Sequence, residues 1–530
     1  MLVLILSTSV SAQKFKVLEA QNFAHYFEFF NSNDNEHYKQ RYPNDKAFSF
    51  LKENIPFFNC PDKELEKTYY FRWWTYRKHI RETPTGFVIT EFLPDVPWAG
   101  KYNTISCPAA LHFYEGRWLH DKKFLSDYAK FWFSEGASPR SYSFWAANSI
   151  LAFGYVHNDK ELMKSLLSSL DSNYEAWESS NLTKDGLFWQ IDDRDGMEIS
   201  IGGSGKRPTI NSYMAGDAQA ITEIAKLTGN ELLRRKYSEK SEQLIELINS
   251  KLWDEDAEFY KTAALTKEEL DPIRGNRRFY TFKNVAQKRN ELLDIRELHG
   301  YTPWYFNIPT AKQNNAWKFL FSTTGFKAPY GPTSAEQLSP HFAISNKGHS
   351  CQWNGPSWPF ATSVLLKGMA NMLTNYKQDV VTKDDFMDLL ITYSNSHRMH
   401  KGAQTICWID ENLNPFTGEW HTRSRLVKKN SKPIERGKDY NHSSFCDHVI
   451  SDMIGIKPSF DNTLGIDPVI PNKFWKWFCL DRVKYHGKFI TVIWDEDGAK
   501  YGKGSGFSVF VDGILKYNSD KIQKCNVVIE

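Results

Sequence analysis

Three stretches of this sequence gather carboxylates among glycines, aromatics and amides, the loop setting in which binding and catalytic side chains tend to sit. The first runs Asp185-Gly-Leu-Phe-Trp189-Gln190-Ile-Asp-Asp-Arg-Asp195-Gly-Met-Glu198-Ile-Ser200-Ile-Gly-Gly203 and holds five acids. Arg207-Pro208-Thr209 and Asn211 follow and open a helical stretch. The second is Cys351-Gln352-Trp353-Asn354-Gly355-Pro356-Ser357-Trp358-Pro359, two indoles around a Gly-Pro turn. An apolar helix comes next, for which Ser357 is the expected N-cap. The third is Trp408-Ile-Asp410-Glu411-Asn412-Leu-Asn414-Pro-Phe-Thr-Gly418-Glu419-Trp420, where a turn places Glu411 and Glu419 on either side of itself.

Two carboxyl groups facing one bond, one protonated and one ionised, are the machinery for cutting a glycosidic bond: the first protonates the leaving oxygen, the second activates water or attacks. With 63 acidic residues in the chain, a pair of acids decides nothing alone. The company they keep carries the argument, because indole rings pack on the apolar faces of sugars. Each stretch also has a plainer reading. The first is a solvated acidic loop, or a calcium site, although the spacing of a calcium loop is absent. The second is a helix start packed by aromatics, and the third a surface turn. Trp98 and Tyr102, in a turn-rich segment around Asp95 and Asn103, join Trp189, Gln352, Trp353, Asn354, Trp358 and Glu419 as candidate sugar contacts.

Taken together, the three stretches resemble the inverting exo-glycosidases of the glycoside hydrolase family 63 type, including mannosylglycerate hydrolases. That family carries a Gly-aromatic-Asp-Asn-Ser-Pro loop, a Trp-Arg-Gly-Pro-x-Trp stretch, and a Glu ahead of an Asn/Asp-Pro-x-Thr-Gly turn. Gly196-Met197-Glu198-Ile199-Ser200, Trp353-Asn354-Gly355-Pro356-Ser357-Trp358 and Glu411-Asn412-Leu413-Asn414-Pro415-Phe416-Thr417-Gly418 match these in order. The resemblance implies that Glu198 is the general acid and Glu411 the general base. Two departures stand out. The family's acid is Asp, which keeps Asp195 open as an alternative to Glu198, and Asn354 stands where the family has Arg. They point to a related branch, such as the family 142 type of plant-polysaccharide degradation. The resemblance implies an (α/α)6 barrel and needs no cofactor. A polysaccharide lyase on the same barrel, with Tyr and His as base and acid, and a non-catalytic sugar-binding protein are the rival readings.

The elements that must position these residues read as mostly helical. Apolar positions at three- and four-residue spacing predict helices over Lys122–Phe133, Ser141–Val156, Lys160–Ala176, Ser212–Thr228, Glu231–Leu252, Ser357–Met372 and Lys383–Ser396. Sequential pairs of helices with irregular loops between them suggest hairpins arranged about a centre. Around this helical part, 116–456, the sequence predicts a β-containing N-terminal region, 13–115, with a strand over Gly86–Leu93. A small C-terminal β unit, 457–530, has strands over Lys484–Trp494 and Gly506–Leu515.

Composition narrows the function classes. A formal net charge of +3 without a long basic run argues against a nucleic-acid or anionic-membrane partner. No Gly-rich phosphate loop follows a strand. The seven cysteines show no metal or redox spacing and predict mostly free, buried thiols. Aromatics make up 15% of the chain, which suits either a sugar cleft or an aromatic-rich core. The first residues are apolar and end in Val10-Ser11-Ala12, the pattern of a signal peptide over 1–12. The predicted location is therefore secreted or periplasmic, the predicted partner is an oligo- or polysaccharide, and no segment beyond the N-terminus is suited to membrane insertion.

Overall fold

The computed structural model describes residues 15–270, 292–345, 349–433 and 435–530; the expected signal peptide, 1–12, lies outside them. Six helical segments form an inner ring: Ala109–Gly116, Ala146–His157, Pro208–Leu227, Leu298–Tyr301 running into Thr302–Tyr305, Pro359–Asn375, and the π-helical His448–Met453. Each touches the next in chain order. Buried polar bonds tie neighbours together. The Tyr114 hydroxyl donates to Asn148 at 2.6 Å, Asp217 accepts from the Asn148 N–H at 3.0 Å, and Asn371 donates to the Trp304 and Tyr305 carbonyls. The ring closes at Glu115, whose carboxylate accepts the backbone N–H groups of Phe445, Cys446 and Asp447. An anion is well placed there, against the unpaired N–H groups that open the last inner helix.

Outside the ring lie Lys123–Phe131, Lys160–Asn181, Glu231–Leu247, the 3-10 segment Ala311–Phe319, Lys383–Ser396 and Lys63–Lys78. The result is the (α/α)6 barrel. The last of these outer helices belongs to the N-terminal region, which is more helical than its sequence suggests. Ala24–Ser32, Ala47–Asn54 and Lys63–Lys78 dominate it, with strands only at Phe57–Asn59, Ile80–Thr83 and Gly86–Ile89. From Leu65 nearly every residue of Lys63–Lys78 is buried, Arg72, Arg77 and Lys78 included. Burial on all faces erases the apolar stripe by which a helix is recognised.

Most of the tryptophans pack this core. Trp73, Trp118, Trp132, Trp145, Trp304 and Trp317 are fully buried. The aromatic share is thus chiefly a packing property, and the aromatic-rich His299–Tyr305 lies in an inner helix. All seven cysteines are free, Cys107 and Cys351 being only partly buried.

The C-terminal part is a five-stranded antiparallel sheet with a three-stranded companion. Phe57–Asn59 of the N-terminal region supplies one edge strand of the five, paired with Trp477–Tyr485. Both long strand readings of the sequence are in fact hairpins. Lys484–Trp494 is broken at His486-Gly487 and Gly506–Leu515 at Asp512-Gly513, each a pair of residues with positive φ. Such pairs make the tight turn whose twist matches paired strands.

Candidate active site

Glu198 and Glu411, which lie far apart in the chain, face one cavity of about 360 Å³ at the end of the barrel. The acidic loop reaches it through a short 3-10 turn, Asp192–Asp195, ended by Gly196 in the left-handed conformation. A Cβ on Gly196 would meet the Cys107 sulfur at 2.5 Å, so glycine is required for both reasons. The loop is held from behind. Asp195 is an ion-pair partner of Arg207 at 2.6 Å, both side chains fully buried, and accepts from Ser143 and Thr209. Arg207 in turn donates to Ser200 and the Gly203 carbonyl. Glu297, at the start of an inner helix, accepts the N–H groups of Ile201 and Gly202 and faces His299 at 3.1 Å. Burial pushes Glu297 up, but His299, Arg207 and those N–H groups outweigh it and hold its carboxyl below the usual range.

The second and third stretches are stitched to the first and to each other. The Trp353 N–H donates to the Glu198 carbonyl at 3.1 Å, and Ser357 and Leu413 exchange both backbone bonds at 3.0 Å. Ser357 therefore does not cap the helix Pro359–Asn375. Trp358 occupies that position without a side-chain bond, and Pro359 opens the helix. The Cys351 thiol contacts Glu411 Oε2 at 3.5 Å. His442 Nε2 lies 3.2 Å from the Glu411 carbonyl; since a carbonyl only accepts, that nitrogen carries the proton. Arg423 holds the neighbouring Asp410 at 2.7 Å.

A third carboxyl, Glu91, lines the same cavity as Tyr440, and its backbone carbonyl accepts the Asn441 N–H at 3.1 Å. Burial, followed by the charges of Asp193, Glu411 and Asp192, pushes Glu198 well above the ordinary carboxylate range. Burial, together with Asp410, raises Glu411 to about 7 against the lowering pull of Arg436 and Arg423. Burial and Glu411 raise Glu91 to about 8, with the Tyr440 hydroxyl opposing. Around these acids stand Trp353 and Trp358, stacked at 4.5 Å, with Tyr142, Tyr440 and the rim residue Trp98, which is 46% exposed. The Trp353 Nε1 is buried without a hydrogen-bond partner among the described residues.

The profile of the mannosylglycerate hydrolase MGH1-like glycoside hydrolase domain matches residues 101–443. The chain belongs to this family. Its MGH1-like domain is followed, over 458–514, by a match to the C-terminal domain of glycosyl hydrolase family 65, within the β unit. Among solved structures, a protein named "Sialidase" is 37% identical with a TM-score of 0.86, over 96% of this chain and 45% of that one. This chain thus spans less than half the length of that relative. The family GH78 rhamnosidase of Bacillus sp. GL1 has 12% identity and a TM-score of 0.54, covering 86% of this chain and 41% of that one. The α-L-rhamnosidase of Dictyoglomus thermophilum has 12% identity and a TM-score of 0.50, covering 90% and 49%. At such identity the rhamnosidases speak for the fold alone.

Within the MGH1-like site, Glu198, Glu411, Trp98, Trp353 and Trp358 line the cavity. The other expected contacts do not. Asp195 is locked behind the loop by Arg207, so of the two candidate acids it is Glu198 that lines the cavity, with Asp193 of the same loop also in the wall. Trp189 sits in a small apolar cluster with Ile191 and Leu265. Tyr102 packs on Phe131 at 6.0 Å. Gln352 is buried and its carbonyl accepts from the Trp358 indole at 2.8 Å, while the Asn354 amide donates to the His341 carbonyl at 3.4 Å. Glu419 is exposed on its turn, where it accepts from Ser424. Residues that the sequence left unassigned complete the wall: Glu91, Tyr142, His349, Arg436, Tyr440 and His442. Glu91 follows a strand with no motif around it; Asp439-Tyr440-Asn441-His442 is a visible polar cluster that sequence alone does not separate from core. Among the described residues no group of His, Cys, Asp and Glu is suited to a metal ion, and no helix is long and apolar enough to cross a membrane.

Proposed function

We propose that the chain hydrolyses a terminal glycosidic bond on the side chain of a plant or other complex polysaccharide, with inversion. One observation carries this reading: two loops remote in sequence bring Glu198 and Glu411 to one aromatic-walled cavity sized for one or two sugar rings. Glu198, kept protonated by burial and neighbouring acids, donates to the leaving oxygen. Glu411 takes a proton from the attacking water, assisted by the guanidinium of Arg436, which favours its ionised form. Glu91, raised to about 8, is neutral near pH 7 and donates to a sugar hydroxyl. An inverting pair requires carboxyls about 6.5–9.5 Å apart, room enough for the water.

The test is sugar release from a panel of aryl glycosides, sialosides and plant oligosaccharides by wild type, Glu198→Gln and Glu411→Gln. General acid–base groups contribute about 10²–10⁴-fold each, so both variants should fall by that much while remaining folded. Full activity in either variant moves that role elsewhere, and product with retained anomeric configuration in early NMR spectra rejects inversion. Complex polysaccharides lie outside the cell, so we also assign the protein to a secreted or periplasmic location. A mature N-terminus near Gln13 is the expected readout.

A further inference from the structure

The cavity does not end at Trp98. An open groove of about 940 Å³ adjoins it, and Trp98, Asp193 and Arg194 line both spaces. The groove is walled by the loop 137–141, the last turn of Lys160–Asn181 and the chain 190–194. Its inner wall is therefore the same loop that carries Glu198, while the stretches bearing Cys351 and Glu411 contribute nothing to it. This asymmetry has a chemical meaning. A general acid must stand on the side of the departing oxygen, and the base on the opposite face of the sugar. The groove lies on the acid's side.

Its lining suits a carbohydrate. Ser138, Arg140 and Ser141 offer hydrogen-bonding groups, and all three are exposed. The half-exposed Trp98 ring, braced by the Arg436 guanidinium at 5.2 Å and by Phe92 edge-on, stands where pocket and groove meet. Sites that enclose a drug-sized ligand run about 300–1,000 Å³, and the groove lies at the upper end of that range, room for more than one sugar ring.

We propose that this groove binds the leaving-group side of the substrate and takes a chain of two or more sugar residues, with Trp98 as the platform under the first. The enzyme's substrate is then an oligosaccharide rather than a small glycoside such as a sugar ester or ether of a short acid. The inference rests on the assignment of Glu198 and Glu411 above, and its test reads binding apart from turnover. Titration calorimetry of wild type, Arg140→Ala and Ser141→Trp would use linear galacto-, arabino-, xylo- and galacturono-tetrasaccharides with their monosaccharides. At least one tetrasaccharide should bind wild type and bind both variants about 10-fold more weakly, a change of about 1.4 kcal/mol. The matching monosaccharide should lose less. Equal tetrasaccharide affinity in all three proteins, or no binding by any tetrasaccharide, overturns the groove. Binding without sugar release overturns the hydrolase reading and leaves the groove standing. Where the panel does yield a cleaved oligosaccharide, kcat/KM for it should fall about 10-fold further in Arg140→Ala than kcat/KM for the aryl glycoside.

Discussion

Glu198 and Glu411 have the same side chain and the same cavity, yet their surroundings differ, and in the proposed mechanism that difference gives them different work. Glu198 is crowded by Asp192, Asp193 and Glu411, whereas Glu411 has Arg436 and Arg423 to offset Asp410. Environments that drive two carboxyls apart are how one site holds an acid and a base together. The pH profile should record this. Because the base must be ionised, kcat/KM should rise with pH through about 7, the value of Glu411, and its alkaline limb should belong to Glu198. Arg436→Ala removes a charge that favours ionised Glu411, so the acidic limb should move to higher pH in a profile measured on the same substrate. An unmoved limb would place the titrating group elsewhere, Glu91 first.

At the scale of elements, the acidic loop is a rigid bracket rather than a flexible arm. Its two ends are fixed by Asp195–Arg207 and by Glu297 on the Ile201 and Gly202 N–H groups, and Gly196 turns the chain between them. Gly196→Ala should cost about 1–2 kcal/mol for the left-handed backbone alone, plus the clash with Cys107. Thermal melting should show the loss, and activity should fall further than stability because Glu198 moves with the turn. Cys107→Ala in the same chain should restore the steric part and leave the backbone part. Identical melting temperatures for wild type and Gly196→Ala would contradict the constraint.

For the whole molecule, burying these acids works against stability above their ordinary titration range. The folded carboxyl of Glu411 titrates near 7 and that of Glu91 near 8, both above the ordinary value of about 4.3 in an unfolded chain. Between these limits these two carboxyls bind more protons in the folded chain than in the unfolded one, so their contribution to stability falls as pH rises from about 4.5 to 8. Buried histidines such as His112 and His120, held neutral by burial, pull the other way below about pH 6.5. Glu411→Gln removes one such group. It should be inactive yet more stable than wild type at pH 8, by roughly 1–3 kcal/mol, with the difference vanishing near pH 4.5. Chemical denaturation at the two pH values is the measurement; a variant equally destabilised at both would show that Glu411 is held by favourable contacts instead.

The parts of this protein that are legible in its sequence are those set by local chemistry. The helix starts at Lys160, Glu231 and Lys383 were readable because Asp159, Asn230 and Thr382 cap them through side-chain bonds. The starts read at Ser141, Ser212 and Ser357 lie instead at Ala146, Pro208 and Pro359, after Trp145, Arg207 and Trp358, which make no side-chain cap. In the same way the motif residues Glu198, Glu411, Trp353 and Trp358 announce themselves by their neighbours in the chain. What the sequence does not carry is direction. Asp195 and Glu198 belong to one acidic run, and only the buried Arg207 decides that the first turns inward to hold the loop while the second faces the cavity. Glu91 and Tyr440 meet across the barrel mouth because the ring of helices closes there, a contact between residues too distant in sequence for any local pattern to record.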